Sequence, residues 1–405
     1  MTTTNTTVPI ADGWLWRPLV GGTLLQFAVL ATRPTTSYAA IELGADGFLI
    51  GVLAAAYAVP SMLAALPIGR LAANLTRISV LPVGAALLTA LGCVLSALAR
   101  DIVALALGAG LVGLGAIGVI IGAQTWISRM APSAKYDQGF GWMTAGMSGG
   151  QAVGPLIAGF VIESHAQVFQ GTTMVFSLAV VSCGVAALCF FSPVKVLHPP
   201  ESEKTARESS WQLLRRPGVL RIICISAAVL TTIDILSAYL PLLGEQAGIT
   251  PSIVGTLLAI RGFSSMASRI LLPWLASRFN RSWLVIVSSV VSAMTIVLIA
   301  LLPWVPVMVG AMLLGGFALG IGQPLTMTAV AVMVPQRERP RVLSIRLLGN
   351  RLAQTAVPIV AGGLASFLGV GAVFWLQAVF LVSSAAWAGM ARRTGESEGG
   401  SEQGS

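Results

Sequence analysis

Charged side chains are scarce in this sequence. Asp, Glu, Lys and Arg make up only 10% of its 405 residues, while 56% of the residues are hydrophobic. A soluble protein would carry about 25% charged residues. Apolar runs of about twenty residues or more recur along the whole length, and runs of that length cross a bilayer as helices. We therefore predict an all-α membrane protein.

Histidine and cysteine are also scarce, which limits the chemistry that the chain could perform. The sequence has two histidines, His165 and His198, and four cysteines. The histidines are predicted on opposite sides of the membrane, and the cysteines lie within apolar runs without the spacing of a metal site. No nucleotide-binding loop occurs in the sequence. We therefore expect no metal and no cofactor, and a membrane enzyme such as an acyl or phosphoryl transferase is disfavoured.

The apolar runs predict twelve membrane spans. They lie at about residues 19–43, 47–69, 78–99, 102–127, 139–162, 172–192, 218–243, 252–275, 283–302, 305–332, 342–368 and 370–391. Of the 24 Lys and Arg residues, 18 fall on the side of the two termini, five within spans, and one, Arg100, on the opposite side. This positive-inside pattern predicts cytoplasmic termini in the cell's inner (plasma) membrane, and it accounts for the net charge of +9 without nucleic-acid binding.

A loop rich in Pro, Ser and charged residues divides the spans into two sets of six. The predicted organisation is a cytoplasmic tail at 1–13, a first six-helix half at 14–192, a cytoplasmic linker at 193–216, a second six-helix half at 217–391 and a disordered cytoplasmic tail at 392–405. Because residues 1–13 are polar, we expect them to form a tail and not a cleavable signal peptide.

The two halves resemble each other in sequence. With an offset of about 203 residues, GPLIAG beginning at Gly154 lies over VPIVAG beginning at Val357, and Gln151 lies over Gln354. Two copies in the same orientation form a parallel repeat, and such a repeat creates a site near the middle of the membrane where the halves meet.

Two motifs carry a resemblance to a known family. GRLAANLTR ends at Arg77 between spans 2 and 3, and its copy PWLASRFNR ends at Arg281 between spans 8 and 9. GQAVGPLIAG, from Gly150 to Gly159, lies in span 5. In these motifs the sequence resembles the major facilitator superfamily of secondary transporters, and in particular its 12-span bacterial drug and metabolite antiporters. The resemblance covers the chain from about Trp14 to Arg393.

The resemblance implies alternating access, in which two halves rock about a central site. The candidate gating residues on the two motifs are Gly69, Arg70, Arg77, Arg278, Arg281, Gly150, Gly154, Pro155 and Gly159. The loops depart from the family pattern, because Ala73 and Ser277 stand at its acidic position. Span 4 departs from the drug exporters, since Ala109 stands where they have an arginine four residues before a glycine.

Ionisable residues within spans are energetically costly and mark functional pathways. The spans contain Arg33, Asp234, Arg261, Arg269, Arg346 and Arg351. Arg269 and Arg346 lie within about two turns of a span end, and a long side chain there is expected to reach the interface. The other four lie roughly 14–15 Å deep and close to one plane. The resemblance implies that their spans, 1, 7, 8 and 11, line the cavity.

Three deep arginines against one deep aspartate predict a site for an anionic group, which a guanidinium binds through paired hydrogen bonds. The residues predicted to bind substrate are Arg33, Arg261, Arg351, Gln26, Tyr38, Tyr57, Tyr239 and Gln354. The tyrosines would accommodate a hydrophobic or aromatic part. Asp234 is the candidate proton carrier, because it is the only deep carboxylate. A structural Arg–Asp pair is the alternative for Asp234, and the sequence leaves its partner open.

The predicted function is secondary active transport of a small anionic or amphipathic organic compound. The span-5 motif favours export in exchange for protons. The alternative is proton-coupled uptake of an organic anion, such as an aromatic or hydroxy carboxylate. The expected partners are the substrate, protons and the lipid bilayer, and the chain is expected to act as a monomer.

Overall fold

A computed structural model describes residues 15–130, 136–192, 210–216, 218–334 and 339–399. Within these ranges the chain forms helices and no strand. The helices are α1 (Trp16–Glu42), α2 (Gly47–Asn74), α3 (Val80–Leu98), α4 (Ile102–Met130), α5 (Tyr136–Glu163), α6 (Val168–Phe190), α7 (Ser210–Arg215), α8 (Val219–Gln246), α9 (Pro251–Arg278), α10 (Arg281–Leu301), α11 (Val305–Val332), α12 (Arg339–Leu368) and α13 (Gly371–Gly399).

Nine helices in the described ranges are long and apolar enough to cross a membrane, namely α2–α6, α8 and α10–α12. The all-helical membrane class is therefore confirmed. The helices α1, α9 and α13 also have 27, 28 and 29 residues, and they lie at predicted spans 1, 8 and 12. They are less apolar, because α9 carries three arginines and the apolar part of α13 covers only Gly371–Trp387. Each predicted span thus falls on a long helix.

Two helix ends differ from the predicted boundaries. The short helix α7 lies within the predicted linker, and α13 continues to Gly399, beyond the predicted end of the second half at Ala391. Residues 392–399 contain no proline, which would interrupt a helix. Residues 193–209 of the linker, the predicted tail at 1–13 and residues 400–405 lie outside the described ranges.

The long helices pack as two groups of six. In the first group α1 packs on α5 and α6, while α4 packs on α2 and α3. In the second group α8 packs on α12 and α13, and α11 packs on α9 and α10. The groups meet where α5 contacts α9, α2 contacts α12 and α1 contacts α8. The contact surface between the halves is therefore lined by α1, α2, α5, α8, α9 and α12.

Glycines bring the two halves into backbone contact at one end of the bundle. We call the end with Ser192 and Ser210, on either side of the linker, the linker end, and the opposite end the distal end. Toward the distal end, a Cβ added to Gly159 of α5 would lie 2.3 Å from the carbonyl oxygen of Pro251 in α9. A Cβ on Gly51 of α2 would lie equally close, 2.3 Å, to the carbonyl oxygen of Pro358 in α12. The close approach requires glycine at both positions.

Polar contacts join the halves at the same end. The backbone N–H of Ser252, in the first turn of α9, donates to Glu163 Oε2 at the end of α5 over 2.9 Å. Ser366 Oγ of α12 donates to Asp46 Oδ2, which precedes α2, over 3.1 Å. A carboxylate at a helix N-terminus satisfies free N–H groups and complements the helix dipole. The distal end is therefore closed by both backbone packing and polar contacts.

Candidate functional site

Arg33 and Asp234 form an ion pair between the halves. Arg33 Nη1, on α1, donates to Asp234 Oδ1, on α8. The two side chains are only 13% and 5% exposed. Because each residue belongs to a different half, the pair joins the halves at the level of the deep charges. This contact settles which arginine pairs with the aspartate in the structure.

Gln354 extends the ion pair to a third helix. Its Nε2 donates to the second carboxylate oxygen of Asp234, Oδ2, over 2.7 Å. Its Oε1 accepts a hydrogen bond from Arg351 Nη1, one turn earlier on α12, over 3.1 Å. Both carboxylate oxygens of Asp234 are thereby hydrogen-bonded. We call Arg33, Asp234, Gln354 and Arg351 the central network.

Tyr57 of α2 covers the guanidinium of Arg33. The Arg33 Cζ atom lies 4.7 Å from the centre of the Tyr57 ring, within the range of a cation–π interaction. Both residues line a cavity of about 30 Å³, together with Thr36, Ser37 and Ala238 among others. A space of this size holds roughly one or two water molecules. Arg33 and Tyr57 thus border an internal polar space next to the central network.

Arg261 is buried without a partner among the residues that the structure describes. Its residue is 3% exposed, and its Nε has no hydrogen-bond partner. No hydrogen bond or ion pair joins its guanidinium to any residue in the described ranges. The helix α9 is fixed here on two sides, because a Cβ on Gly262 would meet Ala152 of α5 and one on Gly316 of α11 would meet the Arg261 backbone. The guanidinium of Arg261 therefore has no partner among the described residues, on a helix whose backbone is tightly packed on both sides.

Other predicted substrate residues lie apart from the central network. Tyr38 packs in an apolar cluster with Ala158 and Ile162, and its hydroxyl has no hydrogen-bond partner among the described residues. Tyr239 is fully buried, and its hydroxyl lies 3.1 Å and 3.2 Å from the carbonyl oxygens of Gly47 and Pro358. Tyr239 therefore links α8 to α2 and α12. Gln26 is buried on α1 without a hydrogen bond to a described residue.

The span-5 glycines hold α5 against α1. A Cβ on Gly150 would lie 2.2 Å from the carbonyl oxygen of Thr23, and one on Gly154 would lie 2.5 Å from that of Phe27. Pro155 lies within α5, and its carbonyl oxygen would be 2.4 Å from a Cβ on Gly255 of α9. The motif thus serves close packing both within the first half and between the halves, as small-residue helix faces do.

The predicted gating residues of the two loops lie on the surface. Arg70, Arg77, Arg278 and Arg281 are exposed, and a Cβ on Gly69 would meet no atom within 4 Å. The contact that fixes the first loop comes instead from α4. Arg129 donates to the carbonyl oxygens of Ala72 and Leu75 over 2.9 Å and 2.7 Å, at the C-terminal end of α2. A basic residue in the last turn of α4 is the only sequence signal for this contact.

Arg269 and Arg346 are held inside the bundle, although the sequence interpretation favoured side chains that reach the interface. Arg269 Nη1 donates to Ser148 Oγ over 2.7 Å, and its Nη2 lies 3.3 Å from Gln323 Oε1. Arg346 Nη2 lies 3.3 Å from the carbonyl oxygen of Gln323 and 3.4 Å from Thr326 Oγ1. Sequence reasoning missed this cluster, because Ser148 and Gln323 are ordinary polar residues on other helices.

A helical membrane bundle of two six-helix groups, with a charged site where they meet, has the architecture of a membrane transporter. The family model of the Major Facilitator Superfamily matches residues 19–272 and 222–404. The chain belongs to this superfamily. The family indicates a multi-pass membrane transporter and not an enzyme. A search of curated proteins found no match.

Solved structures of transporters share the fold at low sequence identity. A mutant of the nucleoside transporter NupG has a TM-score of 0.76 and 14% identity, over 92% of this chain and 98% of that chain. An inward-facing, unoccupied bacterial homolog of the human lysosomal transporter Spinster has a TM-score of 0.75 and 15% identity, over 95% and 98%. A D-xylose–proton symporter has a TM-score of 0.74 and 14% identity, over 92% and 96%. Identities this low establish the shared fold alone.

Proposed function

We propose that this chain is a proton-coupled secondary transporter of a small organic anion, which binds between the halves at Arg261. The observation that carries the proposal is that Arg261 is buried and unpaired. An unpaired charge taken out of water costs several kcal/mol, and proteins offset such a cost with an opposite charge. No carboxylate in the described ranges forms an ion pair with Arg261, so we take a substrate carboxylate or phosphate as its counter-ion.

The charges around Arg261 support an anionic substrate. The Arg33–Asp234 pair is neutral as a whole, while the side chain of Arg351 contacts, among the described residues, the neutral Gln354 and no carboxylate. Arg261 and Arg351 therefore leave an excess of two positive charges. A guanidinium binds a carboxylate or phosphate through two parallel hydrogen bonds, which gives geometric selectivity as well as affinity. The ring of Tyr57 offers a surface for an apolar or aromatic part.

The Arg33–Asp234 pair supports a specific form of proton coupling. Protonation of Asp234 would remove the only negative charge of the central network and release Arg33 to a substrate anion. Proton and anion would then bind more tightly together than separately, and this linkage is reciprocal. Joint binding is what a symporter requires, so the geometry favours proton-coupled uptake.

Export in exchange for protons is the second candidate. It rests on the resemblance of the span-5 motif to the antiporters. However, Gly150 and Gly154 pack on α1, and this packing is compatible with either direction of transport. An antiporter needs proton and substrate to compete. A proton on Asp234 and an anion at Arg33 would instead favour each other's binding, because protonation releases Arg33 from the ion pair. The missing span-4 arginine, replaced by Ala109, also weighs against the exporter interpretation.

The proposed topology places all twelve long helices across the cell's inner (plasma) membrane. The linker end is then cytoplasmic, because it carries most of the Lys and Arg residues outside the spans. We propose a monomer that needs no cofactor, in which the halves rock about the central network. The distal closure would open in the state that faces away from the cytoplasm.

Inside-out membrane vesicles test the direction of transport. When the vesicle interior is acidic, a symporter would carry a labelled carboxylate out of preloaded vesicles together with protons. A proton antiporter would instead accumulate the carboxylate inside the vesicles. The best binder among benzoate, salicylate and phthalate would serve as the probe, chosen by thermal stabilisation of the purified protein. Stabilisation by none of these anions, or equal stabilisation of the wild type and Arg261→Met, would overturn the proposal. Benzyl alcohol serves as the uncharged control.

A further inference from the structure

A second pair of arginines, one buried and one partly buried, lies nearer the linker end. Arg269 of α9 and Arg346 of α12 both contact Gln323 of α11, one through the side-chain oxygen and one through the backbone oxygen, each at 3.3 Å. Ser148 of α5 and Thr326 of α11 supply further oxygen contacts. Two positive charges thus converge on a single neutral residue.

The hydrogen bonding of these arginines is incomplete. Both Nε atoms are buried without a partner, and Arg346 is only 7% exposed. In the part of the chain that the structure describes, neither guanidinium forms an ion pair. Neutral amide and hydroxyl oxygens compensate a guanidinium less than an anion does, because charge-assisted hydrogen bonds are roughly twice as strong. The cluster therefore has unused capacity for an anionic group.

The position of the cluster relates it to the central site. Arg269 follows Arg261 by eight residues on α9, roughly 12 Å along the axis. Arg346 precedes Arg351 by five residues on α12, roughly 7.5 Å along the axis. Since α9 runs toward the linker end and α12 runs away from it, both displacements point to the linker end. The two helices thus carry arginines both at the depth of the central site and nearer the linker end.

We propose that Arg269 and Arg346 form a second anion subsite, which holds a substrate carboxylate between the central site and the linker end. This inference rests on the proposed function, since it assumes an anionic substrate. The bond from Arg269 to Ser148 crosses from the second half to the first. A carboxylate that takes over Arg269 would break this bond and remove a contact between the halves. Occupancy of the subsite would therefore favour separation of α5 and α9 near the linker end.

The number of bound anions tests the proposal. Equilibrium dialysis of the purified full chain with labelled benzoate, salicylate or phthalate should reveal two saturable sites per chain. Arg261→Gln should retain one site. The double variant Arg269→Gln, Arg346→Gln should retain the central site, and its affinity at the second subsite should fall at least tenfold. The matched control Arg100→Gln, an exposed arginine stacked on Phe169, should retain both.

The possible outcomes separate the two proposals. A single site in the wild type that Arg261→Gln abolishes would overturn the second subsite and leave the proposed function standing. A single site lost only in the double variant would overturn the central anion site instead. No saturable site for any of the three anions would overturn both. The number of sites in the wild type alone decides the first outcome. The proposal can therefore be refuted even if the double variant misfolds. The variant Arg269→Lys, Arg346→Lys keeps both charges and should keep a weakened second site.

Discussion

Replacing Arg261 with methionine should stabilise the substrate-free protein while it abolishes anion binding at the central site. Arg261 is 3% exposed and forms no ion pair or hydrogen bond from its guanidinium to a described residue, so the folded protein bears the desolvation cost without a direct counter-ion. Exchange of buried ionic groups for apolar side chains of similar volume often stabilises a protein by about 1–4 kcal/mol. We expect a rise of roughly 2–8 °C in the apparent melting temperature. Stabilising changes that remove function are common at functional sites.

The same substitution at Arg33 provides the matched control. Arg33 is also buried, but its removal would leave the carboxylate of Asp234 without its cationic partner. Loss of one partner of a buried ion pair typically destabilises by about 3–5 kcal/mol. Arg33→Met should therefore lower the melting temperature, whereas Arg261→Met raises it. Intrinsic tryptophan fluorescence of the purified chain would follow both transitions, with and without benzoate. If both variants melted at similarly reduced temperatures, the reasoning about an unpaired Arg261 would be refuted.

Three further predictions address coupling and the contact between the halves. The wild type should bind carboxylates more tightly as the pH falls, and Asp234→Asn should make the carboxylate affinity independent of pH. Weaker carboxylate binding by the wild type at lower pH would exclude joint binding with a proton. Tyr239→Phe should destabilise the protein by about 1 kcal/mol, because the hydroxyl bridges α8 to two other helices, without a change in carboxylate affinity. A valine at Gly159 would collide with the Pro251 carbonyl, so Gly159→Val should abolish transport and increase maleimide labelling of Ser366→Cys at the distal end. Unchanged labelling would mean that the close contact is dispensable for closure.

Helix positions and the depth of charges could be predicted from the sequence for a physical reason. A helix that crosses a bilayer needs about twenty apolar residues, so the apolar runs in the sequence predict where the helices lie and in which order. The four deep charges were predicted near one plane by counting residues from span ends. The structure brings three of them, Arg33, Asp234 and Arg351, into one hydrogen-bonded network through Gln354.

Side-chain partners could not be predicted, because they depend on the rotation of each helix against its neighbours. Tyr239 occupies a predicted substrate position but lies among backbone carbonyls of α2 and α12. Ser264, one turn after Arg261, donates to the carbonyl oxygen of Leu313 on α11. Arg269 depends on Ser148, which is 121 residues earlier in the chain. No local pattern indicates such a pair.

A structure of the protein with its best-binding carboxylate would test the central claim most directly. We predict that the carboxylate lies between the halves, with its oxygens about 2.7–2.9 Å from the guanidinium nitrogens of Arg261, as in charge-assisted pairs. Arg33 and Asp234 would lie alongside it. A carboxylate bound elsewhere, with Arg261 still buried and unpaired, would contradict the account.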